Sequence, residues 1–166
     1  APAEDHPLEA WDKVMNLNIR SLFLFAQAVG KACMIPSRRG RIINVASIAG
    51  LSGSGDVEFI AYGTSKGAVV NFTRTLAGEW GEHGITVNAL CAGAMDTPMM
   101  QEAGPPAAES LGISYEDLLG WFAQESAIKR LVTVEDCALV ASLLVSEAGA
   151  GITGSMISID GGTAPF

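Results

Sequence analysis

Cysteine is scarce in this chain of 166 residues: Cys33, Cys91 and Cys137 stand far apart and are odd in number. They have neither the paired spacing of a zinc site nor the even count of a disulfide framework, so no metal site is expected and a reducing, cytoplasmic setting is. Basic residues are also few, ten against eighteen acidic ones, for a net charge of −8. That balance excludes broad binding to nucleic acid or to an anionic membrane surface. Long apolar runs are missing as well. The most apolar stretch, "SLFLFAQAVG", ends at Lys31 and is far too short to span a bilayer. The first residues, "APAEDHPLEAWDK", carry acids and no apolar h-region, so they do not read as a signal peptide. They do not start with Met either, which points to processing or truncation.

What is present is an alternation of two periodicities. A composition of 49% hydrophobic and 17% charged residues suits one domain with a buried core. From Pro7 to about Met34, Leu8, Trp11, Met15, Leu22, Phe25, Ala26 and Val29 approximate helical spacing, with Asp5 and Pro7 as start signals. Pro36 and "SRRG" then break the chain. "RIINVAS" (41–47) is β-branched without alternation and predicts a strand buried on both faces. Residues 61 to 80 predict a second helix and "ITVNALCAG" (85–93) a second buried strand.

Residues 94 to 126 read as irregular, with Pro98, Pro105 and Pro106 and one short helix in "SYEDLLGWFAQ". Thr133, with Asp136 three residues on, caps a helix, and "SMISID" is the last strand before Gly161-Gly162. Helix and strand alternating three times is the order of an α/β fold with a parallel sheet. Ligands of such sheets sit beyond the carboxyl ends of the strands, which directs attention to Ser47 and to the loop from Gly93 to Thr97.

Tyr62 and Lys66 stand four residues apart at the head of the second helix, on one face. An ammonium one turn from a phenol favours the phenolate, which suits a general acid/base. Ser47, at a strand end, is placed to hydrogen-bond a substrate oxygen at the same point. The plain alternative is a half-buried tyrosine beside a surface lysine, since a bare Tyr-x-x-x-Lys is a weak signal.

Five segments in order carry much more: "WDKVMNLNIRSLFLF", "GRIINVASIAG", "AYGTSKGAVVNFTRTLAGEWG", "GITVNALCAGAMDTPM" and "ITGSMISIDGG". Together they resemble the C-terminal two-thirds of the short-chain dehydrogenase/reductase family, with a Rossmann-like doubly wound parallel sheet. The resemblance implies an NAD(P)-dependent oxidoreductase that interconverts a secondary alcohol and a ketone. It assigns Tyr62 as acid/base, Lys66 as the residue that assists it and binds the nicotinamide ribose, and Ser47 as the residue that orients the reacting oxygen. Asn18 corresponds to an asparagine that anchors a helix kink and a proton-relay water; Asn16 is the competing position. Gly93, Met95 and Thr97 correspond to a cofactor-carboxamide loop, in which Ala92 replaces the usual proline.

The same resemblance marks departures. The glycine-rich turn that seats the cofactor pyrophosphate does not precede Asp5, and "GLSGSG" at Gly50 to Gly55 has the wrong spacing, with Asp56 and Glu58 following. Residues 1–166 therefore read as the C-terminal part of a single domain, about 90 residues short of a fold of about 250. Read alone, the chain has an alternative: a catalytically idle fragment or partner subunit without the phosphate-binding half. NAD or NADP is the expected cofactor; the residue that distinguishes them follows a strand outside this chain.

Sugar-acid, hydroxy-acid and 3-oxoacyl substrates are all compatible, from likeness to gluconate 5-dehydrogenases, 3-hydroxybutyrate dehydrogenases and 3-oxoacyl carrier-protein reductases. Residues 94 to 126 would form the substrate lid. Its acids Asp96, Glu102, Glu109, Glu116 and Asp117 do not suit a carboxylate, whereas Lys129 and Arg130 would. The family also implies a homo-oligomer, a dimer or tetramer, and the apolar outer positions Phe23, Val69 and Phe72 are compatible with its interface and equally with ordinary core packing.

Overall fold

The computed structural model describes residues 1–53 and 59–164. Three parallel strands, β1 (Gly40–Val45), β2 (Ile85–Ala92) and β3 (Met156–Ile159), lie in that order in one sheet. Gly40 to Val45 pair with Ile85 to Leu90, and Ala89 to Ala92 pair with Met156 to Ile159. Strand β2 is central, and its alternation divides the core. Ile85, Val87, Ala89 and Cys91 pack under the helices of one face, while Leu90 packs with Leu144, Val132 and Ile159 on the other.

The first helix is one continuous rod in five segments: α1 (Leu8–Met15), a π turn at Asn16–Arg20, α2 (Ser21–Val29), a second π turn at Gly30–Met34, and α3 (Ile35–Ser37). It passes Pro36, where the sequence predicts a break. The wide turn at Gly30–Met34 lies just before that proline, whose ring would clash with the carbonyl four residues back in a regular helix. The rod ends at Arg38, in the left-handed conformation at φ 51°. Asp5 lies in a short 3-10 turn and does not cap the rod; Pro7 precedes it without a side-chain cap.

Helix α4 (Ile60–Trp80) leads through a tight turn into β2. Gly84 has φ +70°, the left-handed conformation that favours glycine. Residues 94 to 126 depart most from the sequence reading. They form two helices, α5 (Pro98–Ser110) and α6 (Tyr115–Glu125). Pro98 sits in the first turn, where a missing N–H costs nothing. Pro105 and Pro106 are exposed inside α5, whose buried residues are Gly104 and Ala108. Helix α7 (Val134–Val145) starts with the expected reciprocal cap between Thr133 and Asp136. The Thr133 backbone amide, then the Arg130 guanidinium, hold the Asp136 carboxyl below the usual carboxylate range.

Strand β1 is not buried on both faces as expected. It has no strand on its outer side among the described residues, and Val45 is 64% exposed. An apolar groove runs along that edge between α2 and β1, lined by Leu22, Phe25, Val29, Ile42 and Val45 among others. For two of the three positions open to interface or core, the structure gives core packing. Val69 is 1% exposed in the core, and Phe72 packs against the cluster of Ala26 and Leu76; Phe23 alone of the three faces outward. No helix among the described residues is long and apolar enough to cross a membrane.

Candidate active site

The amino end of α4 and the carboxyl ends of β1 and β2 bring the predicted residues to one side of the sheet. Tyr62 is the third residue of α4, and the Lys66 ammonium lies 5.6 Å from the centre of its ring. Lys66 Nζ also donates to the Val45 carbonyl at 2.9 Å. Since the next residue's amide, Ala46 N–H, donates to Leu90 across the sheet, the Val45 carbonyl points to the open edge. Lys66 thus satisfies the last carbonyl of that edge, and its own burial pushes its pKa below the ordinary value.

Ser47 follows β1 in extended backbone. Its hydroxyl accepts from Ala49 N–H at 3.1 Å and lies 3.5 Å from the Ala92 carbonyl, so it spans the ends of β1 and β2. The turn after it, Ile48–Gly50, packs on α4. A Cβ at Gly50 would lie 2.5 Å from the Lys66 carbonyl carbon and oxygen, which is why a glycine stands there. That contact gives Gly50 a packing role in place of a phosphate-binding one; Gly55, Asp56 and Glu58 lie outside the described residues.

Asn18 sits at the middle of the first π turn. Its Nδ2 donates to Ser65 Oγ at 2.9 Å, and Ser65 Oγ donates to the Tyr62 carbonyl at 2.7 Å. Asn16 is exposed and accepts only a long contact from Arg20, so Asn18 is the asparagine that faces α4. Ser65 went unnoticed in the sequence. The available signal was its position three residues after Tyr62, where a serine hydroxyl reaches back along its own helix.

In the loop after β2, Gly93 N–H donates to Ile159 O at 2.9 Å, and a Cβ at Gly93 would meet Asp160 at 2.8 Å. The Met95 side chain turns into the α7 core, 3.9 Å from the Cys137 sulfur. Thr97 Oγ1 accepts from Met100 N–H and caps α5. The loop backbone and the Thr97 hydroxyl proton remain to meet a ligand. Phe59, also missed, is edge-on to the Tyr62 ring with centroids 6.1 Å apart.

The described residues offer an ammonium, a phenol, a serine hydroxyl and a loop backbone, a donor set that fits the nicotinamide-ribose half of a dinucleotide. They hold no glycine-rich strand-to-helix turn for the pyrophosphate half.

Known proteins match this chain over nearly its whole length. The family model described as enoyl-(acyl carrier protein) reductase matches residues 1–164. An NAD-dependent glycerol dehydrogenase from Listeria innocua is 38% identical over 161 residues, 96% of this chain and 58% of that protein. A D-β-hydroxybutyrate dehydrogenase from Rhizobium meliloti is 34% identical over 163 residues, 96% of this chain and 61% of that protein. The actinorhodin polyketide ketoreductase solved with NADPH superposes with a TM-score of 0.92 at 28% identity, covering 100% of this chain and 63% of that one. The chain therefore spans about three-fifths of the length of the proteins it matches. Over nearly all of its own length it shares sequence and fold with dehydrogenases and reductases, and it belongs to the short-chain dehydrogenase/reductase family.

Proposed function

We propose that residues 1–166 are the C-terminal part of a single oxidoreductase domain that interconverts a secondary alcohol and a ketone with NAD or NADP. The observation that carries this reading is the Lys66 ammonium held 5.6 Å from the Tyr62 ring centre, where the parallel strands end. Reduction of the ketone forms a C–H bond at carbon and an O–H bond at oxygen. The bound nicotinamide supplies the hydride when reduced and accepts it when oxidised. Tyr62 gives its phenolic proton to the forming alkoxide, and the neighbouring ammonium stabilises the phenolate left behind. In the alcohol-to-ketone direction Tyr62 takes the proton back.

Ser47 orients the substrate oxygen, and its place between the Ala92 carbonyl and Ala49 N–H limits the hydroxyl's rotation. Asn18 holds the helix bulge against α4 through Ser65 and anchors a water that relays the proton toward solvent. When the cofactor is bound, the backbone from Gly93 to Thr97 would hold its carboxamide and Lys66 its nicotinamide ribose. The full domain works as a homo-oligomer in the cytoplasm, where its thiols stay reduced; Cys33, Cys91 and Cys137 are free here.

A Tyr62→Phe variant tests the assignment. It removes the transferable proton and keeps the ring, so turnover is lost while the fold and cofactor affinity persist; near-normal turnover would remove Tyr62 from the mechanism. The open outer edge of β1 favours a second reading, that these residues alone are idle without a preceding strand-helix segment. Titration of the native protein and of residues 1–166 with NADH and NADPH separates the two. Binding by the native protein only supports a domain completed upstream.

A further inference from the structure

Two stretches of sequence, one leading to Tyr62 and one following β2, share a property of charge. Between Ser47 and Tyr62 there is no lysine, arginine or histidine, and none from Gly93 to Ile128, a stretch that carries six carboxylates. The cations that flank these segments are already engaged. Lys66 donates to the Val45 carbonyl. Lys129, with φ 56°, folds its ammonium back onto the Gln124 carbonyl. Arg130 pairs with Asp136 at 3.1 Å and donates to the Leu131 carbonyl. His6 is the exception: it shares a small pocket with Ile60, and its buried ring nitrogens have no hydrogen-bond partner among the described residues. Lys129 and Arg130, the two residues whose sequence positions suit a carboxylate, are thus engaged in local structure.

The surface beside the phenol is apolar instead. Phe59 is edge-on to Tyr62 and 37% exposed, and Ile60 next to it is 43% exposed. Leu51 leaves the turn that packs on α4, and Met99, in the first turn of α5, is also exposed. Asp96, between the loop residues Met95 and Thr97, adds an exposed carboxylate that accepts from Gln101 and, at 3.4 Å, from the Tyr115 hydroxyl. An anionic substrate seated on Phe59 would leave its own charge unpaired against an apolar ring. An alkyl or aryl group would cover apolar side chains otherwise left in water.

Resting on the oxidoreductase reading, we propose that the substrate is an uncharged ketone or secondary alcohol whose alkyl or aryl substituent lies on Phe59, and that carboxylates and phosphates are discriminated against by charge. Phe59 is then a specificity-determining residue. The test pairs acetophenone with 4-acetylbenzoate, which share a skeleton and differ by one carboxylate, on the native protein with NADH and NADPH.

A kcat/KM for acetophenone at least about tenfold higher, with the preference narrowed or reversed in Phe59→Lys, supports the proposal. Equal or better use of 4-acetylbenzoate overturns it and leaves the oxidoreductase reading intact. Turnover of neither ketone by protein that binds reduced cofactor counts against the oxidoreductase reading. The charge inference is then decided by saturation-transfer NMR of the two ketones, where tighter binding of acetophenone supports it and tighter binding of 4-acetylbenzoate overturns it.

Discussion

Asn18 and Ser65, 47 residues apart in the chain, are joined by a hydrogen bond of 2.9 Å that ties the π turn of the first helix to the head of α4. Ser65 is fully buried and passes the contact on to the Tyr62 carbonyl. The bulge and the candidate acid/base are therefore positioned together. A regular helix over Asn16–Arg20 would rotate Asn18 relative to α4, and this bond would not form.

Removing one end of that bond should lower stability by about 1 kcal/mol, the usual net worth of a buried neutral hydrogen bond. Asn18→Ala and Ser65→Ala, with the double variant, form a cycle whose coupling energy is expected at about 0.5–1.5 kcal/mol by urea denaturation. Additive losses would mean that the two side chains do not act through each other. Turnover should fall with Asn18→Ala and recover partly in Asn18→Ser, which can still donate.

Gly50→Ala should be costly for a residue in a surface turn. The new methyl would sit within 3 Å of the Lys66 carbonyl group and the Gly67 amide nitrogen, all backbone, so the Ile48–Gly50 turn must move away from α4. A loss of about 1–3 kcal/mol is expected from overpacking. Because Ser47 leads directly into the turn, kcat should fall by up to about 10²-fold, as for a misplaced reacting group. Wild-type melting and kinetics would refute the close contact.

Lys66 makes a prediction about pH. Burial holds its pKa below the ordinary 10.5. Between that lowered value and 10.5 the unfolded chain binds more protons than the folded one, so this group's contribution makes stability rise with pH across the window. Below the window the cost of burying the ammonium is felt in full. Titration of the 13C-labelled lysine ε-methylenes, assigned with Lys66→Met, should place the Lys66 midpoint below that of a free lysine. A midpoint at or above the free value would show that the Val45 carbonyl and the Tyr62 ring outweigh desolvation.

Thr133→Ala removes one half of the reciprocal cap on α7, in which Thr133 Oγ1 accepts from Asp136 N–H and Asp136 accepts from Thr133 N–H. A loss of about 1 kcal/mol is expected. Since Leu144 anchors α7 in the core it shares with Met95, the variant should unfold earlier on heating with little change in KM. An unchanged melting temperature would mean that the Asp136 half of the cap is sufficient.

Helix α7 was legible because its cap lies within four residues of sequence, and β2 because a short, mostly apolar run bounded by turns reads as a buried strand. Pro36 and the prolines of α5 misled, since a proline reads as a break when the surroundings that tolerate it are out of view. Gly104 shows why α5 forms nonetheless. A Cβ there would sit 2.3 Å from the Tyr115 ring, so α5 and α6 pack face to face through a contact that local propensity does not report. For Val69 the choice between interface and core stayed open for a related reason. Helical periodicity gives a face but not the neighbour that covers it, and β2 covers that face.

The sequence by itself determined the alternation of helix and strand, the parallel order, and the presence of Asn18, Ser47, Tyr62 and Lys66 at family-matching positions. These are matters of spacing and residue type, which local physics constrains. Only the tertiary structure decided which polar groups remain free to meet a ligand. It committed Lys129 and Arg130 to their own backbone and to Asp136, turned Met95 into the core, and set Phe59 against Tyr62. A side chain's partners depend on distances between segments far apart in the chain, and those distances exist only once the sheet and its helices have packed.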